Sequence, residues 1–510
     1  MTVRSPHRGA ITICVMLATI MQALDTTIAN VALPYMQGSL SASQDQINWV
    51  LTSYIVAAAI MTPPTGWLAG RFGRKRLFLT AVVGFTIASI LCAVATSLPQ
   101  IVVYRLLQGV FGASLVPLSQ AVLLDIYPRE QQGSAMALWG VGVMVGPILG
   151  PTLGGWLTEH YDWRWVFYIN LPIGILTFIG LSTFLTETAR NAAAKLDWFG
   201  FGMLSLAIGA LQMMLDRGEQ LDWFSSTEII TETTVSTVAF YLFLVHSFTA
   251  KDPFVPLRLF RDRNFTTGIC FIFVVGIILL ATLALLTPFL QVLMGYPVVT
   301  AGLVLAPRGV GTMLAMLLVG RLIGRVDTRL LILGGLGLTA LALRQMTHFT
   351  RDVSEGAMIE SGFLQGAGLG LIFVPLSTNT FGTLAPADRA QGTGLFSLMR
   401  NLGSSIGISV VSSLLISETQ VNHADLATRI TPYNRLLQAP PFDQVWNPTT
   451  LAGRAALDAE LTRQATLIGY LDAFKLMLVV CVLAMPLVLL LRKPKSAAAP
   501  DPHAAAAAMD

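Results

Sequence analysis

The sequence predicts an all-α polytopic membrane protein with about fourteen transmembrane helices, built as two six-helix bundles with two helices inserted between them. Three observations predict it. Only 12% of the 510 residues are charged while 54% are hydrophobic, and mean hydropathy is +0.67. A soluble domain carries roughly 25% charged residues, so most of this chain must be solvated by lipid. The apolar residues fall into runs of about 20, the length that crosses about 30 Å of hydrocarbon. Finally, the two halves echo each other. Gly66 to Arg76 (GWLAGRFGRKR) closes the second run, and Gly320 to Arg329 (GRLIGRVDTR) closes the second run of a later series.

The expected spans lie near residues 10–34, 47–69, 77–96, 99–123, 133–157, 164–185, 198–215 and 229–249, and then 267–293, 299–320, 329–347, 357–383, 391–416 and 467–491. The first carries Asp25 and has no small-residue cleavage site, so it reads as a retained helix rather than a secretory leader. Residues 1–185 form the expected N-terminal bundle, 186–266 a linker holding two extra spans, and 267–495 the C-terminal bundle. Within the last, residues 417–465 are polar and read as a periplasmic loop, with an amphipathic stretch from Leu451 to Gln464. Residues 496–510 are Ala-rich without an apolar face and read as a disordered cytosolic tail.

Charge sets the orientation. With loops assigned alternately, about twenty Lys and Arg fall on one side and about seven on the other, which places both termini in the cytosol. The net charge of +4 is spread between apolar runs and excludes a nucleic-acid stripe; the lipid bilayer is the partner. The four cysteines, each inside an apolar run, read as free buried thiols, and no metal-ligand spacing appears. There is no GxxxxGK loop, so no nucleotide cofactor is expected and energy must come from a gradient. Nor is a nucleophile–base pair visible, so an enzyme is not expected.

A charge inside the membrane costs at least about 2.5 kcal/mol, which makes each one a candidate for function. Asp25 lies roughly 22 Å from the cytosolic edge and Arg105 roughly 21 Å from it, so they reach one depth. A carboxylate beside an arginine stays ionised until that partner moves, and then takes a proton. The alternative is a fixed pair that locks helices. Asn30 and Gln108 flank that level as substrate ligands or helix-to-helix glue. Arg308 and Arg400 fall near mid-membrane in the later half, either holding an anionic group or capping backbone carbonyls. The run Gly142, Gly146, Pro147, Gly150, Pro151, Gly154, Gly155 marks the fifth span as kinked and tightly packed, as suits a rocking interface.

These residues resemble the major facilitator superfamily, and within it the fourteen-span drug:proton antiporters of the EmrB type. Leu24 to Pro34 (LDTTIANVALP), Arg105 to Gly112 (RLLQGVFG), Gly142 to Gly155 (GVMVGPILGPTLGG), Trp163 to Pro172 (WRWVFYINLP) and Leu211 to Phe224 (LQMMLDRGEQLDWF) carry the resemblance. It implies proton-driven export of amphipathic toxic compounds across a bacterial inner membrane, with Asp25 and Arg105 in proton coupling. It also implies a tripartite pump completed by a periplasmic membrane-fusion adaptor (EmrA-like) and an outer-membrane channel. Gly66, Arg71, Gly73 and Arg74 match the family's cytosolic gating loop. That loop usually has an acidic residue where Gly70 stands, and the later copy lacks it at Gly324, so the gating salt bridge built on it is not expected here. Two rivals remain: a dedicated exporter of one endogenous lipid, fatty acid or siderophore, and a membrane assembly or sensor subunit that moves nothing.

Overall fold

The computed structural model describes residues 7–128, 131–188, 190, 195–385, 388–431, 437, 445–447 and 449–492. Among them, thirteen helices are long and apolar enough to cross a membrane, from Arg8–Ser39 to Leu451–Leu490. The remaining expected span, the second, is broken. Trp49–Met61 and Thr65–Phe72 are separate helices because Pro63 and Pro64 between them offer no N–H to the ladder. The fourth is likewise two pieces, Leu98–Gly112 and Leu115–Ile126. Helices dominate because a backbone in hydrocarbon must satisfy every N–H and C=O within its own segment.

Both ends of the described chain pack at one face. The His7 ring lies 5.3 Å from that of Phe184, at the end of the sixth span. The Arg492 N–H donates to Asn264 Oδ1 at 2.9 Å, at the start of the ninth. An even number of crossings follows. We call this the terminal face.

The first span packs on the fifth and sixth, the second on the fourth, and the third on the fourth and sixth. In the later half the ninth packs on the thirteenth, the twelfth on the tenth and eleventh, and the thirteenth on the fourteenth. The seventh and eighth pair with each other, and the seventh rests on the second. The seam between halves runs along the fifth and tenth spans. Ser134 Oγ donates to Gly320 O at 3.0 Å toward the terminal end, while Gly302 approaches Thr152 toward the other.

Glycine spacing explains the fifth span, which runs as one helix, Gln132–His160, across both prolines. Gly146, Gly150 and Gly154 recur every four residues and form one stripe. A Cβ on Gly146 would overlap the Ala23 carbonyl, on Gly150 the Thr27 side chain, and on Gly154 that of Ile28. Thr27 Oγ1 then donates to Gly146 O at 3.0 Å. Gly142 meets Met16 in ordinary contact, and Gly155 O accepts from Thr158 Oγ1. Pro151 is half-buried; the Pro147 side chain lies outside the described residues.

Two expectations need correction. The polar segment 417–465 is largely not a loop: the thirteenth helix continues to Thr428 and the last begins at Leu451. Residues 417–428 contain neither Gly nor Pro, and the two extensions hold each other. Gly469 admits the Leu415 carbonyl closely, and His423 Nε2 pairs with Asp458 at 3.0 Å. Pro432, Pro440, Pro441 and Pro448, and the tail 496–510, lie outside the described residues. Of the cysteines, Cys14, Cys92 and Cys481 are buried but Cys270 is exposed on the ninth span, because apolarity alone does not distinguish a lipid-facing position from an inward one.

The stripe gives a stability prediction. Gly146→Leu forces a side chain into Ala23 backbone that cannot yield, which costs about 1–3 kcal/mol, and should lower the thermal unfolding midpoint of the purified protein. Gly302→Ala, whose Cβ would stand 3.4 Å from Thr152 Oγ1, should leave the midpoint unchanged.

Candidate functional site

Asp25 lies 17 residues into a helix that starts at Arg8, roughly 25 Å along its axis. The glycine stripe presses the neighbouring turn of this helix against the fifth span and leaves Asp25 facing the bundle interior, fully buried. Its carboxylate accepts three hydrogen bonds. Arg105 Nη1 donates to Oδ2 at 2.7 Å, and Oδ1 accepts from Gln108 Nε2 at 2.7 Å and from Asn170 Nδ2 at 3.2 Å.

Arg105 is equally enclosed. Its Nε donates to Val50 O at 3.0 Å, and Nη1 also reaches Gln108 Oε1 at 2.7 Å. The guanidinium lies 4.3 Å from the Tyr54 ring centroid and 5.7 Å from that of Phe167, which gives a desolvated cation an electron-rich face. Ser89 Oγ accepts from Gln108 Nε2 at 3.2 Å and Asn170 Nδ2 at 2.9 Å, and donates to Phe167 O at 3.0 Å. Five spans therefore meet at one buried ion pair: the first, second, third, fourth and sixth.

The structure brings Asp25, Arg105 and Gln108 together. Asn30 does not join them: it faces open space and reaches only its own helix at Thr26 O, 3.4 Å away, because five residues along a helix turn it off the Asp25 face. Sequence reasoning missed Asn170 and Ser89. Asn170 offered a signal, being a lone amide in the apolar stretch Trp165–Phe184; a serine among small residues offered none.

In the later half, Arg308 is nearly buried and its Nη2 donates to Leu279 O at 2.7 Å. Arg400 is half-buried, with Nη2 3.5 Å from Asn401 Oδ1. Neither joins the Asp25 network, and neither forms an ion pair among the described residues. No cluster of three His, Cys, Asp or Glu able to hold a metal occurs among those residues.

The loop at the terminal face shows how the halves meet there. Gly66 lies flush against Gln391 of the thirteenth span. Gly73 adopts φ +93° and sits against Glu187, whose carboxylate accepts the Lys75 and Arg76 N–H groups at 3.1 and 3.2 Å. This carboxylate caps the third span's positive end. A Cβ on Gly70 would meet nothing within 4 Å, and Arg71 forms no ion pair among the described residues. Arg74 instead pairs with Asp125, at the end of the fourth span. From the opposite half Arg389 Nη1 reaches the same carboxylate at 3.0 Å and Leu124 O at 2.7 Å. Asp125 thus binds cations from both halves.

Residues 15–408 match the family model of the Major Facilitator Superfamily. The chain is 38% identical over 501 residues to the fatty acid resistance protein FarB of Neisseria gonorrhoeae, covering 96% of this chain and 98% of that one. It is 39% identical over 442 residues to the multidrug export protein EmrB of Escherichia coli K12, covering 86% of each. Among solved structures, the human organic anion transporter MFSD10 superposes with a TM-score of 0.60 at 16% identity, over 93% of this chain and 100% of that one. The proton:xylose symporter XylE does so with a TM-score of 0.60 at 14% identity, over 93% and 95%. At these identities the two structures speak for the fold alone.

The buried pair predicts non-additive mutational costs. Arg105→Gln strands a carboxylate in the interior and should cost about 3–5 kcal/mol. Adding Asp25→Asn should recover at least about 1 kcal/mol of that, the coupling expected of groups sharing one network. A thermal double-mutant cycle on purified protein measures it; additive costs would separate the two residues energetically.

Proposed function

The chain belongs to the major facilitator superfamily, and we propose that it is a proton-driven exporter of amphipathic drugs and toxic compounds, exchanging them for protons by alternating access. The observation that carries this is the fully buried Asp25–Arg105 pair at the meeting point of five spans. An ionised carboxylate with three donors is stable only while those donors stay in place. If the first span shifts against the fourth, Asp25 loses Arg105 and takes a proton. Arg105 keeps Val50 O, Gln108 Oε1 and the Tyr54 ring as partners, so protonation releases the first span without stranding the cation.

In this reading residues 1–185 and 267–495 are the two bundles that rock, the spans within 186–266 are an insert braced on the second span, and the fifth–tenth seam is the hinge. The terminal face is the cytosolic face of the inner membrane, supported by the excess of Lys and Arg in its loops. Asp125, binding Arg74 and Arg389, holds that side closed. The EmrB resemblance supports a periplasmic adaptor and an outer-membrane channel as partners, and the paired helical extensions of the thirteenth and fourteenth spans are the surface proposed to meet the adaptor. A second reading, a dedicated exporter of fatty acid or a related lipid, is favoured by Arg308 and Arg400, which have no acidic partner among the described residues.

Proteoliposomes test the proposal. Wild-type protein should drive accumulation of ethidium and of laurate when, and only when, a pH gradient is imposed, and Asp25→Asn should lower the gradient-driven rate at least tenfold. No gradient-driven movement of either compound by wild type would favour a non-transporting subunit and sink the reading.

A further inference from the structure

We infer that the groove between the second span and the inserted seventh and eighth spans is a binding site for a single-chain amphipathic amine, whose protonated head pairs with Glu232. The site lies apart from the Asp25 network and does not depend on the export reading.

Depth singles out Glu232. It stands five residues into the eighth span, Thr227–Thr249, about 7.5 Å along the axis from the end opposite the terminal face. An acid inside a span pairs with a cation or faces a cavity. Glu232 forms no ion pair among the described residues, and its Oε2 is buried without a hydrogen-bond partner. It does face a cavity, a groove of about 430 Å³ walled by Val56 and Ile60 of the second span and by Leu206, Gly209 and Met213 of the seventh. Glu232 is the one charged residue in that lining.

The three spans are fastened so that the groove stays between them. Thr233 Oγ1 donates to Met214 Sδ at 3.0 Å and Ser236 Oγ to Ala207 O at 2.9 Å, which holds the eighth span on the seventh. Thr52 Oγ1 donates to Asp216, which holds the seventh on the second. A Cβ on Gly209 would stand 3.3 Å from Ile60 Cδ1, so the glycine leaves the floor open. Counted from Arg217, where the seventh span ends, Met213 lies about 6 Å deep and Leu206 about 16 Å. The groove therefore carries its charge near the membrane surface and runs apolar toward the midplane. A single-chain amphiphile has the same polarity, head outward and tail inward.

Charge sets the sign of the head. Residues 213–235 hold Asp216, Glu219, Asp222, Glu228 and Glu232 against Arg217 as the sole base, so the mouth of the groove is negative. Arg217 is already committed: it pairs with Glu228, and its guanidinium lies 5.4 Å from the Trp49 ring centroid. An ammonium brings Glu232 both a counter-charge and N–H donors. An anionic head is repelled, and so is a phospholipid, whose phosphate would stand among these acids. The volume lies low in the range of about 300–1,000 Å³ that holds drug-sized ligands.

The second helix separates this groove from the buried pair. Val56 and Ile60, four residues apart, share one face. Tyr54, whose ring meets Arg105, lies about 200° round the helix from Val56. A ligand in the groove touches the Asp25 network only through that helix.

Equilibrium binding in phosphatidylcholine nanodiscs, corrected with empty discs, reads the site without reading transport. The probes are dodecylamine and dodecanol at about pH 8, where an ordinary carboxylate and an alkylammonium are both ionised. Glu232→Gln, which keeps the side-chain shape, should weaken dodecylamine about tenfold or more and leave dodecanol unchanged. Leu206→Trp fills the groove from its exposed side and should weaken dodecylamine by a similar factor, with the thermal unfolding midpoint unaltered in both variants. Dodecylamine affinity left intact by either substitution would overturn the inference. So would a tenfold fall in that affinity when phosphatidylethanolamine replaces phosphatidylcholine in the disc, which would give the groove to a lipid ammonium. None of these measurements imposes a gradient, so failure here leaves the export reading to its own proteoliposome test.

Discussion

A single ion pair in a dry interior organises the N-terminal half. Taking a carboxylate and a guanidinium out of water costs several kcal/mol per ion, which their attraction offsets only if every remaining donor and acceptor is also satisfied. Here Asp25 takes donors from the fourth and sixth spans, and Arg105 takes an acceptor and an aromatic face from the second. Ser89 of the third span ties the two amides together. Each partner is a side chain or carbonyl delivered by a different helix, so the pair fixes the mutual register of five spans. It is satisfied in this one arrangement of the five spans.

The glycine pattern of the fifth span serves the same constraint from outside. The stripe Gly146, Gly150, Gly154 lets the first helix lie flush, and Thr27 and Ile28 fill the space that side chains would occupy. The other face of the fifth span forms the seam with the tenth, so one helix both seats the charged helix and forms the contact between halves. At the terminal face Asp125 gathers Arg74 and Arg389. The halves are joined there by charge, since a carboxylate on the fourth span stands within reach of both cations.

Much of this was legible in the sequence, and the failures have identifiable causes. Spans are legible because hydrocarbon thickness sets a length and lipid sets a composition. Asp25 and Arg105 are legible because mid-membrane charge is costly and depth can be counted along a helix. Facing is less so: Asn30 shares the depth of that network but turns away from it, and Cys270 shares an apolar run with buried residues yet meets lipid. Ser89 left no trace, since a serine is at home in any small-residue contact. The helical extensions after Ile416 were hidden because their polar sequence satisfies a loop as readily as a helix, and only the partner extension decides between them.

We propose that Asp25 gains or loses its proton as its pair with Arg105 opens and closes. Proton uptake and release by purified protein in weakly buffered solution tests it most directly. Laurate added near the midpoint of the substrate-free titration should change the bound-proton count by up to about half a proton per chain in wild type and by none in Asp25→Asn with binding retained. An unchanged count in wild type, or an equal change in Asp25→Asn, would contradict the account and leave the pair as a structural lock.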